Sequence, residues 1–202
     1  MHGIAVSPHA TGVRSSSRSL CSRVASLVNR VVIVGPCGSG KTTLGRALAA
    51  RIDAPFTELD ALYHGPNWTT RPEFAADADR VSRASRWVLD GNYSSERDML
   101  WSRADTVVWL DLPLWLVEWQ VTRRSVSRWI RGMELWHGNR EPGPLEWLDP
   151  EHPIRWAWKK HAEYRVAYAA RFEDSKWAGL RRARLRSRAE VEAFLSGARA
   201  GD

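Results

Sequence analysis

The chain holds only two cysteines among its 202 residues, Cys21 and Cys37, which is too few for a disulfide framework. Disulfides persist in oxidising compartments, so this scarcity fits a protein of the reducing cytoplasm, which is the location we expect. No apolar run approaches the roughly 20 residues that a membrane-spanning helix needs. The sequence therefore excludes a disulfide-stabilised secreted scaffold and predicts no membrane partner.

Acidic residues are also in short supply, because 23 Asp and Glu face 30 Lys and Arg and leave a net charge of +7. The first 29 residues contain no acidic residue, and they lack periodicity up to about Leu20. We expect residues 1–29 to be a disordered basic tail that the chemistry does not need, and a transit peptide is the alternative. The positive charge suggests an anionic partner, for which nucleotide phosphates suffice and a nucleic acid or membrane lipid would also fit.

The most informative stretch runs from residue 31 to residue 43 and reads VVIVGPCGSGKTT. Its four β-branched residues predict a strand buried on both faces of a parallel sheet, and Lys41 to Arg51 predicts a helix. Between them, Gly35-x-x-x-x-Gly40-Lys41-Thr42 matches the P-loop pattern at every fixed position. A strand before the loop and a helix after it are the context that this motif requires. We therefore predict that the chain binds a nucleoside triphosphate.

The chemistry of this loop follows from backbone geometry. Glycines let successive N–H groups point at one anion, and the helix N-terminus adds a partial positive charge. We expect Lys41 to reach the β- and γ-phosphates and the Thr42 hydroxyl to bind Mg²⁺. The residues predicted to bind the nucleotide are Gly35, Pro36, Cys37, Gly38, Ser39, Gly40, Lys41, Thr42 and Thr43. ATP and Mg²⁺ are the expected cofactors.

Three further segments read as strands that end in a carboxylate. They span residues 56–60, 87–91 and 106–111. Because ligands of open α/β sheets bind outside the carboxyl ends of the strands, the aspartates at these ends are candidate site residues. Asp60 either faces the site or caps a turn. Either Asp90 or Asp111 provides the carboxylate of the Mg²⁺ site, and position alone does not choose between them.

Several helices are predicted between and after these strands. A capping box, Thr70-x-x-Glu73, predicts a helix from Arg71 to about Arg86, and another covers Ser95 to Arg103. A long helix begins at Pro113 and ends near Arg131. Its core stripe is expected at Trp115, Trp119, Thr122, Val126 and Ile130. The opposite face carries Arg124, Arg128 and Arg131, which form either a solvated basic surface or a clamp on the transferring phosphate.

The segment from Gly132 to Pro153 is rich in glycine and proline and lacks periodicity, which is typical of a functional lid. Its aromatic and histidine residues argue against disorder. We predict a lid at about residues 128–153, with Arg140 as a second clamp candidate. A metal site from His137, His152 and His161 has weak support, because their spacing is not that of a tight ligand set.

The chain closes with a helix from Ile154 to Phe172, an edge strand at residues 180–186, and a last helix capped by Ser187-x-x-Glu190. Val191, Phe194 and Leu195 are expected to be the buried residues of this helix. The alternation of strands and helices predicts an α/β fold. We expect a doubly wound, five-stranded parallel sheet of the P-loop kinase type, in one domain over residues 30–198.

A family resemblance is visible in these motifs. The segments are VVIVGPCGSGKTTLGRALA, LDALYH, WVLDGNYS, VVWLDLP, the Arg-rich helix, ELWHGNRE and LRSRAEVEAFL. Together they resemble the adenylate-kinase-like P-loop family, and within it the bacterial adenylate kinase or DNA topology modulation (FlaR-like) group. The resemblance extends from Arg30 to Leu195. It implies that Asp90 serves Mg²⁺ together with Thr42, and that Arg123 and Arg124 lie at the lid hinge.

The chain departs from this family just after Leu89-Asp90-Gly91. Adenylate kinases continue with Phe-Pro-Arg, whose arginine holds the phosphate of the acceptor nucleotide, whereas this chain has Asn92, Tyr93 and Ser94. Arg97, one helical turn later, is the nearest replacement. Because this arginine is missing, the sequence does not favour a nucleotide acceptor. Asp60 favours a hydroxyl acceptor instead, because an attacking hydroxyl group benefits from a nearby carboxylate.

We therefore expect ATP-dependent phosphoryl transfer to a small-molecule or nucleotide acceptor, with lid closure. The expected catalytic residues are Lys41, Asp60, Asp90, Arg124, Arg128 and Arg140. The alternative is a nucleotide-binding regulatory or DNA-binding protein without kinase activity. The sequence contains no helix-turn-helix or zinc module, so nucleic acid is the less favoured partner. The oligomeric state stays open.

Overall fold

The computed structural model describes residues 26–149 and 152–201. Its strands are β1 (Ser26–Leu27), β2 (Arg30–Val34), β3 (Phe56–Glu58), β4 (Trp87–Asp90), β5 (Thr106–Leu110), β6 (Arg181–Leu185) and β7 (Ala198–Arg199). Five of them form a parallel sheet in the order β3-β4-β2-β5-β6. This confirms the predicted α/β class with a five-stranded parallel sheet, including the edge position of the last large strand.

Helices cover both faces of this sheet. They are α1 (Lys41–Ile52), α2 (Leu59–Tyr63), α3 (Phe74–Val81), α4 (Arg97–Arg103), α5 (Leu114–Ile130), α6 (Pro153–Glu173) and α7 (Arg188–Gly197). Short 3₁₀ turns lie at Pro66–Trp68, Trp136–Gly138, Pro144–Glu146 and Ser175–Trp177. Within the part of the chain that the structure describes, no helix combines the length and apolarity needed to cross a membrane.

The sheet is buried on both faces because its central strands are almost entirely apolar. Every residue of β4 and β5 is buried. One face packs against α1 and α7, with Leu48 and Ile52 in the contact. The other packs against α4 and α6 in an aromatic cluster that includes Trp101, Trp109 and Tyr168. Burial of such side chains is worth about 1.5–3 kcal/mol each. The aromatic residues of this cluster therefore stabilise the core.

The strand order gathers the candidate site residues at one edge. Strand β2 lies between β4 and β5. The loop after β2 is therefore flanked by the residues that follow β4 and by those that follow β5. The register pairs Ile33 with Asp90 and Val34 with Trp109. The carboxyl ends of parallel strands meet at the same edge, which is where α/β folds bind ligands.

The predicted N-terminal tail is wrong in its last four residues. Ser26 and Leu27 pair in parallel with Ala198 and Arg199, and Val28 is buried. The two segments are far apart in the sequence, and their pairing adds a two-stranded sheet beside the main one. The ordered domain therefore begins no later than Ser26, and the rest of the predicted tail, residues 1–25, lies outside the described residues.

Local signals misplaced two boundaries before β4. Strand β3 ends at Glu58, so Asp60 lies inside α2 and is neither a strand end nor a turn cap. The predicted capping box is not formed, because α3 begins only at Phe74, after Glu73, and has no side-chain cap. The Thr70 hydroxyl instead donates to the Tyr63 hydroxyl at 3.1 Å.

The predicted core stripe of α5 is wrong, because it faces outward. Trp115 is 72% exposed, Trp119 53% and Ile130 69%, while Val117 and Val121 are fully buried. The reason is steric. A Cβ built on Gly38 would come within 2.7 Å of the Val121 Cβ, so the loop after β2 approaches the helix too closely for a tryptophan. Trp115 and Ile130 therefore lie on the exposed side of α5, whereas Trp119 and the arginines of the helix line the cleft.

The other predicted elements agree with the structure. Ser187 caps α7 by accepting the Glu190 amide at 3.2 Å, and the Glu190 carboxylate accepts the Arg186 amide at 2.7 Å. Val191, Phe194 and Leu195 pack against the core half-buried. The predicted lid overlaps both flanking helices, since α5 extends to Ile130 and α6 begins at Pro153.

Candidate phosphate-transfer site

The loop after β2 is shaped as an anion cradle. Gly38 and Gly40 have φ of +82° and +94°, which L side chains rarely adopt. Gly40 precedes α1 without a side-chain cap, and a Cβ there would meet nothing within 4 Å. The hydroxyl of Ser39 is buried without a partner among the described residues. Uncapped helix amides and an orphan hydroxyl around open space fit a phosphate group.

Lys41 places its ammonium group at the mouth of this loop. Nζ donates to the carbonyl oxygens of Gly35 at 3.0 Å and Pro36 at 3.1 Å. These are neutral partners, and a phosphate oxygen would form a stronger, charge-assisted bond. The structure therefore places Lys41 where the motif predicted it, as a cation within reach of an anion in the cradle.

Thr42 and Asp90 meet as the resemblance implies. The Thr42 hydroxyl donates to Asp90 Oδ2 at 2.8 Å. Burial raises the pKa of Asp90 to about 6, with Asp60 and Glu58 adding to the rise and Lys41 opposing it. A hydroxyl and a carboxylate are the hard oxygen ligands that Mg²⁺ prefers, directly or through water. These two residues fit the expected metal site.

Asp111, the other candidate carboxylate, is engaged elsewhere. Its oxygens lie 2.6 Å from Arg184 Nη2 and 3.0 Å from Arg165 Nε. Two guanidinium groups already balance this buried charge. Asp111 thus ties β5 to β6 and α6, whereas Asp90 is the aspartate that contacts the phosphate loop.

Asn92 is a site residue that sequence reasoning noted only as a departure. Its amide donates to the Gly35 carbonyl at 2.7 Å, and its oxygen accepts the Gly35 amide at 3.1 Å. The hydroxyl of Tyr168 also donates to Asn92 Oδ1, at 3.0 Å. Asn92 therefore fixes the first residue of the phosphate loop. The sequence feature that could have identified Asn92 is its position two residues after Asp90.

Asp60 lies beside the end of β4 and is held by a tyrosine. The Tyr93 hydroxyl donates to Asp60 Oδ1 at 2.7 Å. Burial, followed by the charge of Asp60, raises the pKa of Tyr93 well above its ordinary value, so Tyr93 stays a neutral donor. Arg97 approaches the same region, since Nη2 donates to the Asn92 carbonyl at 3.3 Å and the guanidinium lies 5.8 Å from the Tyr168 ring centre.

Of the four candidate clamp arginines, Arg124, Arg128 and Arg131 line the cleft and Arg140 does not. Arg124 Nη2 donates to Cys37 Sγ at 3.1 Å, so it touches the phosphate loop. Arg128 lines the same cleft and pairs with Glu141 at 3.3 Å. Arg140 is exposed and does not line the cleft itself, although it pairs at 3.0 Å with Glu134, which does. The expectation that the arginine face of α5 borders the site is met for Arg124, Arg128 and Arg131.

A cleft of about 1390 Å³ opens above the loop. Its walls are the loop and α1 on one side, α5 and residues 133–136 on another, and α7 on the third. The basic residues lining it are Lys41, Arg46, Arg123, Arg124, Arg128, Arg131 and Arg188. A volume of this size exceeds the 300–1,000 Å³ typical of ligand pockets, so the cleft can admit a nucleotide together with part of an acceptor.

Glu141 at the base of the lid was not predicted. It is buried, and it accepts a hydrogen bond from the Ser125 hydroxyl as well as pairing with Arg128. His152 lies 3.9 Å from the same carboxylate. Burial lowers the pKa of His152, so its ring is neutral near pH 7. This cluster fixes Glu141, in the segment predicted to be a lid, to α5 and holds Arg128 at the cleft.

The histidine metal site is not formed. His152 Nδ1 accepts the Ile154 amide as the cap of α6, and His161 contacts the Leu112 carbonyl at 2.9 Å. His137 lies 3.4 Å from the Ala61 carbonyl. Within residues 26–149 and 152–201, no group of three His, Cys, Asp or Glu side chains is placed to hold a metal. Each ring instead contacts a main-chain group.

The strand, glycine loop and helix, carried at the edge of a five-stranded parallel sheet, define a fold of the P-loop NTPase class. The family model described as "ATPase family associated with various cellular activities (AAA)" matches residues 31–73. This match covers the phosphate loop and the segment through α2, and it ends at the start of α3.

Two known proteins are similar to this chain. A shikimate kinase from Ruegeria pomeroyi is 37% identical over 83 residues, which cover 38% of this chain. The chain spans only 43% of that relative's length. A solved shikimate kinase from Acinetobacter baumannii, in complex with shikimate, superposes with a TM-score of 0.51 at 20% identity. That match covers 85% of this chain and 90% of the other, and it shows a shared fold.

Proposed function

We propose that this protein is a kinase that transfers a phosphoryl group from ATP to a small molecule. One observation carries the proposal. The Lys41 ammonium, the Thr42–Asp90 pair at 2.8 Å and the Arg124 guanidinium come from three separate elements and converge on one loop. Phosphoryl transfer needs this arrangement of positioned charge more than it needs covalent chemistry. The shikimate kinase relatives support the same reaction class.

The nucleotide would be held by the main-chain amides of residues 35–43. Lys41 would leave its carbonyl partners to neutralise the β- and γ-phosphates, and Ser39 would donate its free hydroxyl. Thr42 and Asp90 would hold Mg²⁺, which would supply charge neutralisation between the phosphates. Asn92 would keep the loop in shape by fixing Gly35. The kinase domain would include β1 and β7 as well as the main sheet, so it would start no later than Ser26, and residues 128–153 would form its lid.

The arginines of α5 would act as the clamp on the transferring phosphate. Arg124 and Arg128 face the cleft, and a guanidinium that stabilises the transferring group is worth roughly 10³–10⁵ in rate in related enzymes. Glu141 would keep Arg128 in place by its buried ion pair. Arg140 would join the clamp only by leaving Glu134, so we assign it the weakest role of the three.

The acceptor is proposed to react through a hydroxyl group. Asp60 is a carboxylate that Tyr93 holds in place, and a carboxylate within hydrogen-bond reach can accept the proton of an attacking hydroxyl. Shikimate, named for both relatives, carries hydroxyl groups, which agrees with this class. The adenylate-kinase-like alternative, with a nucleotide acceptor, rests on Leu89-Asp90-Gly91 and would need Arg97 to replace the missing arginine.

The experiment is a turnover assay on purified protein with ATP, Mg²⁺ and a panel of nucleoside monophosphates, sugars and hydroxy acids. We expect ADP formation that depends on one class of acceptor, and loss of that activity in the Lys41→Ala variant. Equal, acceptor-independent rates for both proteins would remove the kinase assignment. Filter binding of DNA at two salt concentrations separates the regulatory alternative, because phosphate contacts weaken steeply with salt.

A further inference from the structure

Two short turns of almost the same shape pack against each other beside α2, the helix that carries Asp60 and therefore the proposed acceptor side of the site. We call residues 64–70 the acceptor-side turn and residues 134–140 the lid turn. Each is closed by an isolated antiparallel bridge, which joins His64 to Thr70 in one and Glu134 to Arg140 in the other. The two turns are 70 residues apart in the sequence, and neither belongs to the sheet.

Their inner hydrogen bonds correspond residue by residue. The Gly65 amide donates to the Thr69 carbonyl at 2.7 Å, and the Leu135 amide donates to the Asn139 carbonyl, also at 2.7 Å. Each turn also contains a one-turn 3₁₀ segment with a left-handed residue inside it. The correspondence means that each turn presents its main-chain polar groups in the same way.

Asn139 joins the two turns with both of its side-chain polar atoms. Nδ2 donates to the Gly65 carbonyl at 2.9 Å, and Oδ1 accepts the Trp68 amide at 3.1 Å. The residue is 6% exposed, and an amide side chain is the group that offers a donor and an acceptor in this spacing. Loss of this side chain would leave buried main-chain groups of the acceptor-side turn without partners.

Aromatic rings surround this contact. Trp136 of the lid turn stacks on His64 with ring centres 6.1 Å apart and meets Trp68 edge-on at 6.3 Å. His137 approaches the Ala61 carbonyl in α2 at 3.4 Å. The lid turn therefore contacts both the acceptor-side turn and the helix that carries Asp60.

The acceptor-side turn contains strain that the lid turn avoids. Trp68 has φ of +58°, and the corresponding residue of the lid turn is Gly138, with φ of +78°. A bulky residue in the left-handed region is costly and persists only where its surroundings hold it. The Trp68 amide is held by Asn139, so departure of the lid turn would let the acceptor-side turn relax.

We infer that Asn139 couples the lid to the acceptor side, so that the lid turn and the acceptor-side turn move as one body. Helix α2 follows this movement, because the His64 amide donates to the Asp60 carbonyl at 3.0 Å. Asn139 is thus a positioning residue that acts on Asp60 through the turn. The consequence for Asp60 rests on the proposed function, and the coupling of the two turns does not.

Hydrogen exchange measured by mass spectrometry on the full chain tests the coupling. In the Asn139→Ala variant, amides of residues 64–70 should exchange at least tenfold faster than in the unchanged protein. Local opening of this turn costs less free energy in the variant, because the contact with the lid turn no longer has to be broken. Peptides covering α1 and β4 should exchange within twofold. Asn139→Asp keeps the acceptor for Trp68 but places a carboxylate oxygen against the Gly65 carbonyl, so it should also raise exchange of residues 64–70 at least tenfold.

Arg140→Ala is the matched control, since it removes an exposed lid pair with Glu134. It should change exchange in residues 134–140 and leave residues 64–70 within twofold. Unchanged protection of residues 64–70 in both Asn139 variants, or equal effects in the control, would overturn the inference.

Calorimetry with ATP and Mg²⁺ on the same variants separates the two ideas. Binding within threefold of the unchanged protein is expected, because Asn139 does not touch the phosphate loop. Absence of ATP binding in every protein would count against the proposed function alone, while the exchange result would still decide the coupling. Binding that is lost only in the Asn139 variants would contradict the inference, since it would place this residue in the nucleotide site.

Discussion

The two halves of the site are built in different ways. In the phosphate loop, Lys41 bonds to Gly35 and Pro36, which are six and five residues away. In the lid half, Asn139 bonds to groups 71 and 74 residues away, and His137 reaches one 76 residues away. The first half is a local motif that its own sequence shapes. The second exists only when two distant segments meet.

This difference predicts where substitutions act. Substitutions in the phosphate loop should lower the rate of phosphoryl transfer and leave the stability and the contact between the two turns unchanged, because Asn92 and β2 hold the loop in place. Changes in the lid half should alter order and positioning, with smaller effects on the nucleotide. Substitutions in each half of the site test this difference.

The largest effect is expected for Lys41→Ala. Removal of the ammonium group from the cradle should lower kcat by roughly 10³, as removal of one preorganised charge donor does in other enzymes. The exposed Lys159, on α6, provides a matched lysine control, and Lys159→Ala should change the rate less than twofold. ADP release under saturating ATP is the measurement, and a loss below tenfold for Lys41→Ala would break the contrast.

Asp90→Asn should separate activity from stability. Asp90 is buried with a pKa of about 6 in the folded protein against an ordinary value of 3.8. A raised carboxyl pKa means that this group favours folding below about pH 3.8, and that the contribution is lost as the pH rises through 6. At pH 7.5 the charged form therefore costs up to about 3 kcal/mol, at 1.36 kcal/mol for each pKa unit.

The variant should accordingly unfold at higher denaturant at pH 7.5, and its advantage should shrink toward pH 4. Mg²⁺-dependent turnover should fall in the same protein, as is common when a destabilised group serves function. Urea titrations at pH 7.5, 6 and 4.5 provide the measurement. A variant that is less stable at pH 7.5 than at pH 4.5, relative to the unchanged protein, would contradict the assigned burial cost.

Glu141→Gln should weaken the lid base by about 2 kcal/mol, because it removes a charged, hydrogen-bonded partner of Arg128. The free energy of unfolding by urea measures this loss. We also expect weaker transition-state stabilisation, since Arg128 is no longer held at the cleft, while the ATP dissociation constant stays within a few-fold. Glu134→Gln, which breaks the exposed pair with Arg140, is the control and should cost under 1 kcal/mol.

The smallest effect is expected on the outer face of α5. Trp115→Ser should change the free energy of unfolding by less than about 0.5 kcal/mol, because the ring is 72% exposed. Val117→Ser, two residues away and fully buried, is the matched control and should cost more than 1 kcal/mol. Thermal unfolding of both variants compares them, and a larger loss for Trp115→Ser would restore the face that the sequence predicted.

The sequence was a reliable guide where structure is local. Strand β2, the phosphate loop and α1 follow from β-branched residues, glycines and a helix-forming run that lie next to one another. The alternation of elements also gave the five-stranded parallel sheet. The Thr42–Asp90 contact was expected only through the family resemblance, because spacing alone did not choose between Asp90 and Asp111.

Two errors concern helices whose local patterns are sound. The α5 stripe has helical spacing, yet the close approach of Gly38 to Val121 leaves Val117 and Val121, rather than Trp115, on the buried face. Thr70-x-x-Glu73 has a capping pattern, yet α3 begins only at Phe74 without a side-chain cap. Sequence periodicity describes which residues share a face and contains no information about which face meets a neighbour.

The amino-acid sequence by itself determined the fold class, the anion cradle and the identity of its lysine and threonine, because short-range backbone preferences and adjacent residues decide these features. Only the tertiary structure decided which aspartate meets the loop, which face of α5 borders the cleft, and that Asn139 joins two turns 70 residues apart. These depend on steric fit and on hydrogen bonds between segments that the chain brings together when it folds.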